Sequence, residues 1–323
     1  MSRRTALGGL GMSRPAAAAQ DLAERFQPRG PLAATLLSEI ERAQLAPIPL
    51  DQLPQWSPWP ARIAGLSPWS QPVRNLEKIE QEYDRDKFGR CLEFVRKKGA
   101  VDVDELRRFE IGLQEEDKIC VSLGQDLFAA PLSLALKMEK ELLRQAVAPH
   151  LAGANSVVEL GCGWGQNLGQ LARIFPDKQF IGGDYSRNAV EVASLLFHGR
   201  ANIQIERFNF YDSHYSILNR ARPPVVVLTV FAVEQLDSAA HFIAAMRSGP
   251  QILRVVNIEP LPPPQPATVL QILRTGYFRL NSYCEDLAPL LASQIGDVQM
   301  ERDIFGLNPI HPASIISWAD ARS

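Results

Sequence analysis

Apolar residues follow two rhythms along this chain, and the change between them falls near residue 154. Beyond that point, short unbroken apolar runs alternate with stretches in which apolar positions return every three or four residues. The runs at 156–160, 179–183, 203–208, 225–230 and 252–258 read as buried strands. Between them, 166–175 (stopped by Pro176), 188–197 (ended by Gly199) and 238–247 read as helices, and 285–291 begins another. Strands and helices alternating at this spacing predict an α/β fold whose parallel sheet is covered on both faces. Two late strands, 298–304 and 314–318, are expected to form an antiparallel hairpin at its edge, giving seven strands in all.

The rhythm is weaker upstream. Residues 1–30, rich in small residues, Arg and Pro, read as a flexible leader. A short helix is expected over 32–45. Prolines then crowd 47–72, and because proline fixes φ and removes a donor, no regular element is expected there. Trp56, Trp59 and Trp69 lie among these prolines. They read either as pins holding an extended arm to the body, the simpler case, or as a stacking wall for a ligand. Charged and apolar residues alternate at helical spacing over 74–98, and 101–106 reads as a turn into a helix with acids at its positive end. A strong helix is expected at 131–148, with proline early and Leu132, Leu134, Leu136, Leu142 and Leu143 following. The sequence thus divides into a leader at 1–30, an accessory segment at 31–130 and a sheet-building domain at 131–323.

Hydrophobic residues make up 46% of the 323, enough for a buried core and too many for wholesale disorder. The 34 Lys plus Arg against 36 Asp plus Glu leave a net charge of −2. That balance lacks the electrostatic footprint of a protein gripping long nucleic acid, so no such partner is expected. Cys91, Cys120, Cys162 and Cys284 are scattered, with no C-x-x-C pair and no His at ligand spacing, which points away from a metal site or a disulfide framework and toward a reduced, cytoplasmic protein. Ser2-Arg3-Arg4-Thr5-Ala6-Leu7 looks superficially like a twin-arginine signal, but the apolar stretch after it is short and broken by Arg14-Pro15. No stretch reaches the roughly 18 uninterrupted apolar residues of a membrane span.

The most informative stretch is Val157-Val158-Glu159-Leu160-Gly161-Cys162-Gly163-Trp164-Gly165-Gln166-Asn167. It is a buried strand ending in an acid, then a glycine-rich turn, then a helix. Glycines there let the backbone pass close to a ligand. A dinucleotide site would carry G-x-G-x-x-G with pyrophosphate on the helix N-terminus. Here the third glycine comes one residue early, and a carboxylate sits two positions before the first. That charge repels a pyrophosphate and favours a cationic ligand, such as the ammonium of a methionine moiety. Gly169 keeps a looser glycine series, and with it a nicotinamide reading, open.

The stretch resembles the first motif of class I S-adenosylmethionine-dependent methyltransferases, acid-x-G-x-G-x-G, and the resemblance extends over about 155–318. It implies a Rossmann-like sheet with S-adenosyl-L-methionine as cofactor. Glu159, Gly161 and Gly163 would line the methionine part with Cys162 between them, and Gly165 and Asn167 would shape the same loop. Asp184 ends the next strand, where an acid accepts hydrogen bonds from ribose hydroxyls; the alternative is a cap on the helix that follows. Tyr185 would pack on the adenine. Asn209 stands where the family often places an acid for the adenine amino group, and its amide oxygen is able to accept the same bond. Phe210 reads as an adenine neighbour or a core aromatic. Thr229, near the tip of the fourth strand, completes the expected cofactor contacts.

That strand leads into Phe231-Ala232-Val233-Glu234-Gln235-Leu236, and in the family its tip faces the transferred methyl. Displacement from a sulfonium asks the protein mainly to align the partners and remove a proton. Glu234 is the first candidate for a base or acceptor-orienting group, and equally a helix-start carboxylate; His241 and Glu259 follow. Residues 274–283, with Tyr277, Phe278, Asn281 and Tyr283, read as an aromatic and amide-rich loop suited to a sugar or aglycone, and also to simple packing. There is no Asn-Pro-Pro-Tyr or Asp-Pro-Pro-Tyr after the fourth strand, no Pro-Cys nucleophile, and no acid set resembling the magnesium site of catechol-type enzymes. Glu234-Gln235 and the Phe-Gly-Leu-Asn-Pro-Ile-His-Pro at 305–312 look similar to methyltransferases of bacterial polysaccharide and natural-product clusters. The resemblance implies methylation of O or N on a small-molecule, sugar or natural-product acceptor. Peptide methylation and a non-catalytic cofactor-binding scaffold stay open, as does a homo-oligomer.

Overall fold

The computed structural model describes residues 32–70, 77, 80–249 and 251–320. The expected leader, and the start of the helix expected from residue 74, lie outside them. Ten strands run through the described residues: β1 (Ala46–Pro47), β2 (Lys118–Leu123), β3 (Asp126–Pro131), β4 (Ser156–Leu160), β5 (Gln179–Asp184), β6 (Ile203–Arg207), β7 (Val225–Val230), β8 (Ile252–Glu259), β9 (Asp297–Gly306) and β10 (Ala313–Ala319). The helices are α1 (Leu32–Thr35), α2 (Glu39–Arg42), α3 (Trp59–Ile63), α4 (Gly89–Lys98), α5 (Val103–Ile111), α6 (Leu132–Val147), α7 (Gln166–Ile174), α8 (Arg187–Leu196), α9 (Ala240–Ser248), α10 (Val269–Asn281) and α11 (Leu287–Gln294).

The strands form one sheet in the order β1-β3-β2-β9-β10-β8-β7-β4-β5-β6. β4 through β8 pair in parallel, as the alternation of elements predicts. Their side chains divide by period two. Val157, Val226 and Leu228 pack under α4 to α8, whereas Val158, Val225 and Val227 pack under α9 and α11 on the other face. Burial on both faces explains why these strands read as unbroken apolar runs.

Seven strands were expected and ten are present. The extra three, β1 to β3, come from the segment read as accessory. The hairpin β9–β10 is antiparallel as expected but is not the edge: β10 lies between β8 and β9, and β2 continues the sheet through Ser122↔Gly306 and Leu123↔Phe305. The proline-crowded stretch also differs, holding a 3₁₀ turn at Leu50–Gln55 and the short α3. Pro60 sits in the first turn of α3, where a missing N–H costs nothing, so it starts a helix instead of breaking one. The helix expected over 32–45 is split into α1 and α2, the second with a Ser38–Glu41 capping box.

The expected loop at 274–283 is mostly the helix α10, begun by the capping box of Thr268 and Gln271. Its Tyr277 meets the tryptophan arm. Trp59 meets Tyr277 edge-on at 4.5 Å, the Arg62 guanidinium lies 4.8 Å over both the Trp59 and Trp69 rings, and the Trp69 indole N–H donates to the Leu280 carbonyl (3.4 Å). Two of the three tryptophans therefore pin the arm. Among the described residues, no helix is long and apolar enough to cross a membrane.

Candidate active site

The parallel strands end on one side of the sheet, and their C-terminal tips line a cavity of about 450 Å³. This is where ligands of open α/β sheets bind. At the tip of β4, Gly161, Gly163 and Gly165 hold φ of +74°, +55° and +82°, a region costly for any residue with a Cβ. A Cβ on Gly161 would lie 2.5 Å from that of Ala232, so the bend at β4 and the tip of β7 touch through this missing atom. On Gly163 it would meet the Phe88 ring at 3.1 Å.

Glu159 lines the cavity with 1% of its surface exposed. Asn167 Nδ2, in the first turn of α7, donates to its Oε1 (2.6 Å), while its Oε2 has no hydrogen-bond partner. Burial, with Asp184 adding repulsion against the Asn167 bond, pushes the carboxyl up to about 8. Asp184, at the tip of β5, accepts from the Gly163 N–H (2.7 Å) and the Ser186 N–H (2.8 Å). It thus ties the glycine bend to the start of α8, whose cap is Ser186 itself, and still faces the cavity. Burial raises its carboxyl; these two N–H groups, and the charges of Lys87 and Arg207, work against the rise.

Tyr185, Asn209 and Phe210 complete this end of the cavity. The Arg207 guanidinium lies 5.1 Å over the Tyr185 ring. Asn209 Oδ1 accepts from the Tyr211 N–H (3.0 Å), forming the turn that aims Phe210 toward Gly161. Cys162 also lines the wall, and burial holds its thiol neutral, far above the usual range.

Four expected cofactor or catalytic residues, Gly165, Thr229, His241 and Glu259, are not on the cavity wall. Gly165 packs under Ile205 and Phe197, so its bare backbone serves the fit of α7 onto the sheet. Thr229 is fully buried beneath the site, accepting from Asn257 Nδ2 (2.7 Å). His241 is exposed on α9, with Nε2 2.8 Å from the Asp212 carbonyl.

At the other end of the cavity, β7 breaks at Phe231, a non-glycine residue at φ +51° that is 37% exposed. The strained bend is held by Glu259 at the tip of β8, whose carboxylate accepts from the N–H groups of Ala232 and Val233 (3.1 Å each). Burial, with the charge of Glu234 nearby, raises Glu259 to about 8. Glu259 therefore shapes the bend and does not line the cavity. Glu234 does line it, 5% exposed, with Oε1 accepting from Gln235 Nε2 (2.8 Å). Its Oε2 lies 2.7 Å from His311 Nε2, a close contact off the hydrogen-bond axis.

Sequence reasoning missed His311 as a site residue, although it stands in the quoted 305–312 stretch. The N-terminal segment was expected to close over the cofactor, but no site residue was assigned to the wall that it supplies. There a π-helix, Glu80–Phe88, brings Tyr83, Asp84, Lys87 and Phe88 over the glycine bend. Asp84 Oδ1 accepts from Ser186 Oγ (2.5 Å) and the Asn188 N–H (2.9 Å), fastening this segment to α8. Lys87 pairs with Glu110 (2.9 Å), and Arg107 spans Glu110 (2.9 Å) and Glu139 (2.7 Å). Burial alone would raise Glu110, yet these two cations hold it down at about 2. The four cysteines are buried and unpaired, and among the described residues no three His, Cys, Asp or Glu side chains are grouped to hold a metal.

No protein-family model and no curated protein sequence matches the chain. Solved structures similar to it include the methyltransferase domain of a bacterial CtHen1, at 19% identity over 56% of this chain and 98% of that one, with a TM-score of 0.42. Human N-acetylserotonin methyltransferase in complex with SAM aligns at 12% identity over 76% and 69%, with a TM-score of 0.38. Geranyl diphosphate C-methyltransferase from Streptomyces coelicolor aligns at 12% identity over 59% and 82%, with a TM-score of 0.43. Likeness this distant says nothing of the reaction of this chain.

Proposed function

We propose that this chain is an S-adenosylmethionine-dependent methyltransferase acting on oxygen or nitrogen of a small-molecule, sugar or natural-product acceptor. The observation that carries the reading is Glu159: a buried carboxyl with one orphaned oxygen, on a cavity wall, beside a bend that only glycine tolerates. Such a group is costly to ionise alone, and a ligand that brings a positive nitrogen removes the cost. A pyrophosphate would add charge of the same sign.

The residues present fit the cofactor. Glu159 Oε2 would take the ammonium, the Gly161–Gly163 backbone leaves room for a chain to pass, Asp184 would accept from ribose hydroxyls, and Tyr185, Asn209 and Phe210 would flank the base. Bound there, S-adenosylmethionine supplies an electrophilic methyl on a positively charged sulfur. The chain's own part is to align an acceptor against it. Val230, Ile258, Leu236 and Phe305 give that end of the cavity an apolar wall that excludes water, with Glu234 as its polar group.

A thermal-shift series with S-adenosylmethionine, S-adenosylhomocysteine and NAD tests the reading. A ligand at 100 times its Kd adds about 2.7 kcal/mol, so either adenosyl compound should raise Tm by several degrees while NAD leaves it unmoved. A shift with NAD alone overturns the reading.

A further inference from the structure

The contact between Glu234 and His311 is the least expected feature of the cavity. Both side chains are buried, at 5% and 8% exposure, both line the wall, and they come from loops 77 positions apart in sequence. We propose that His311 is the catalytic proton acceptor for the incoming acceptor group and that Glu234 acts through it as a positioning residue. This inference rests on the methyltransferase reading above.

The imidazole is held on all sides. Tyr283 stacks on it at 4.9 Å and 16°, Tyr277 lies at 4.8 Å, Phe278 at 5.7 Å and Phe231 at 5.5 Å. The aromatics of 277–283 thus cradle a ring of the protein itself. Phe231 joins the cradle only because the strained bend projects it there, which gives the cost of its positive φ a use.

The loop carrying His311 is fixed from behind. Arg274, almost fully buried, donates to the Pro309 carbonyl (3.2 and 3.3 Å), the Gly124 carbonyl (2.9 Å) and Asp303 Oδ2 (2.9 Å). The His311 N–H closes the turn on the Asn308 carbonyl (2.9 Å). Nε2 faces Glu234, so Nδ1 is the nitrogen left to meet an acceptor proton, and the carboxylate stabilises the imidazolium that results. In the step, a lone pair on the acceptor O or N forms the bond to the methyl carbon. The carbon–sulfur bond breaks with its electron pair going to sulfur, and the acceptor proton passes to His311.

A crystal structure of the full chain with S-adenosylhomocysteine tests this without a known acceptor. The thioether sulfur should face the His311 ring across a gap of about 6–7 Å, room for the methyl and one acceptor atom at near-attack distances. A sulfur turned to another wall, or more than about 10 Å from the ring, overturns the proposal. Failure of the ligand to bind at all would instead overturn the methyltransferase reading. His311→Ala gives a second readout, with labelled methyl transfer into a small-molecule extract of the source organism. Transfer should fall about 100-fold or more and recover in part with added imidazole, with Kd for S-adenosylhomocysteine unchanged. Full transfer by the variant rules His311 out.

Discussion

Glu159 shows how one residue sets both the cost and the use of the site. Its carboxyl is raised to about 8 by burial, reinforced by Asp184 and opposed by Asn167. A folded-state value above the unfolded one means the protein gains stability from this group below about pH 4.5, and loses that gain as pH rises through 8. Glu159→Gln, which keeps a polar group for Asn167 and cannot ionise, should therefore match wild type near pH 5 and exceed its Tm by several degrees at pH 8.5. Melting curves of the two proteins across this range check it, and a constant difference would contradict it. The acid was legible in sequence because charge alone distinguishes its ligand from a pyrophosphate. Thr229 was misplaced because side chains alternate between the two faces of a strand, and pairing of β7 with β8 turns this one to Asn257; His241 was misplaced because α9 carries it out to solvent. His311 was beyond reach of local pattern, since its partner Glu234 is distant in the chain.

Elements carry that chemistry through two strained turns. The bend after β4 uses glycines for both conformation and space, and it leans directly on the bend after β7. Gly161→Ala combines a left-handed φ with a Cβ 2.5 Å from that of Ala232, and should cost more than about 2 kcal/mol in denaturant unfolding. Gly199→Ala has a similar φ of +79° with open space around it, and should cost only about 1–2 kcal/mol. Equal costs would mean that the two bends do not touch. The parallel strands were readable because burial on both faces leaves unbroken apolar runs. Helix α10 was not, since proline-rich sequence before it and aromatics within it resemble a loop. Its Thr268–Gln271 capping box was the available signal.

For the molecule as a whole, the N-terminal half is part of the site and of the sheet. β2 and β3 bury Val121, Leu123 and Ala130 in the same core as α6 and β9, and the π-helical segment roofs the glycine bend. The hairpin was missed because its two-residue Gly124-Gln125 turn joins runs whose alternation is imperfect. A chain beginning at residue 131 lacks these strands and bares an apolar edge at Ile304 and Phe305. We expect it to aggregate, while the full chain unfolds in one transition by circular dichroism and tryptophan fluorescence alike. A soluble, cooperatively folded fragment would show the two halves to be independent.

Calorimetric titration of S-adenosylhomocysteine into wild type and Glu159→Gln at pH 8 bears most directly on the central claim. One-to-one binding by wild type, weakened roughly 10- to 150-fold in the variant by loss of a charged hydrogen bond worth about 1.5–3 kcal/mol, is the predicted result. Equal affinity in the two proteins, or none in wild type, would contradict it.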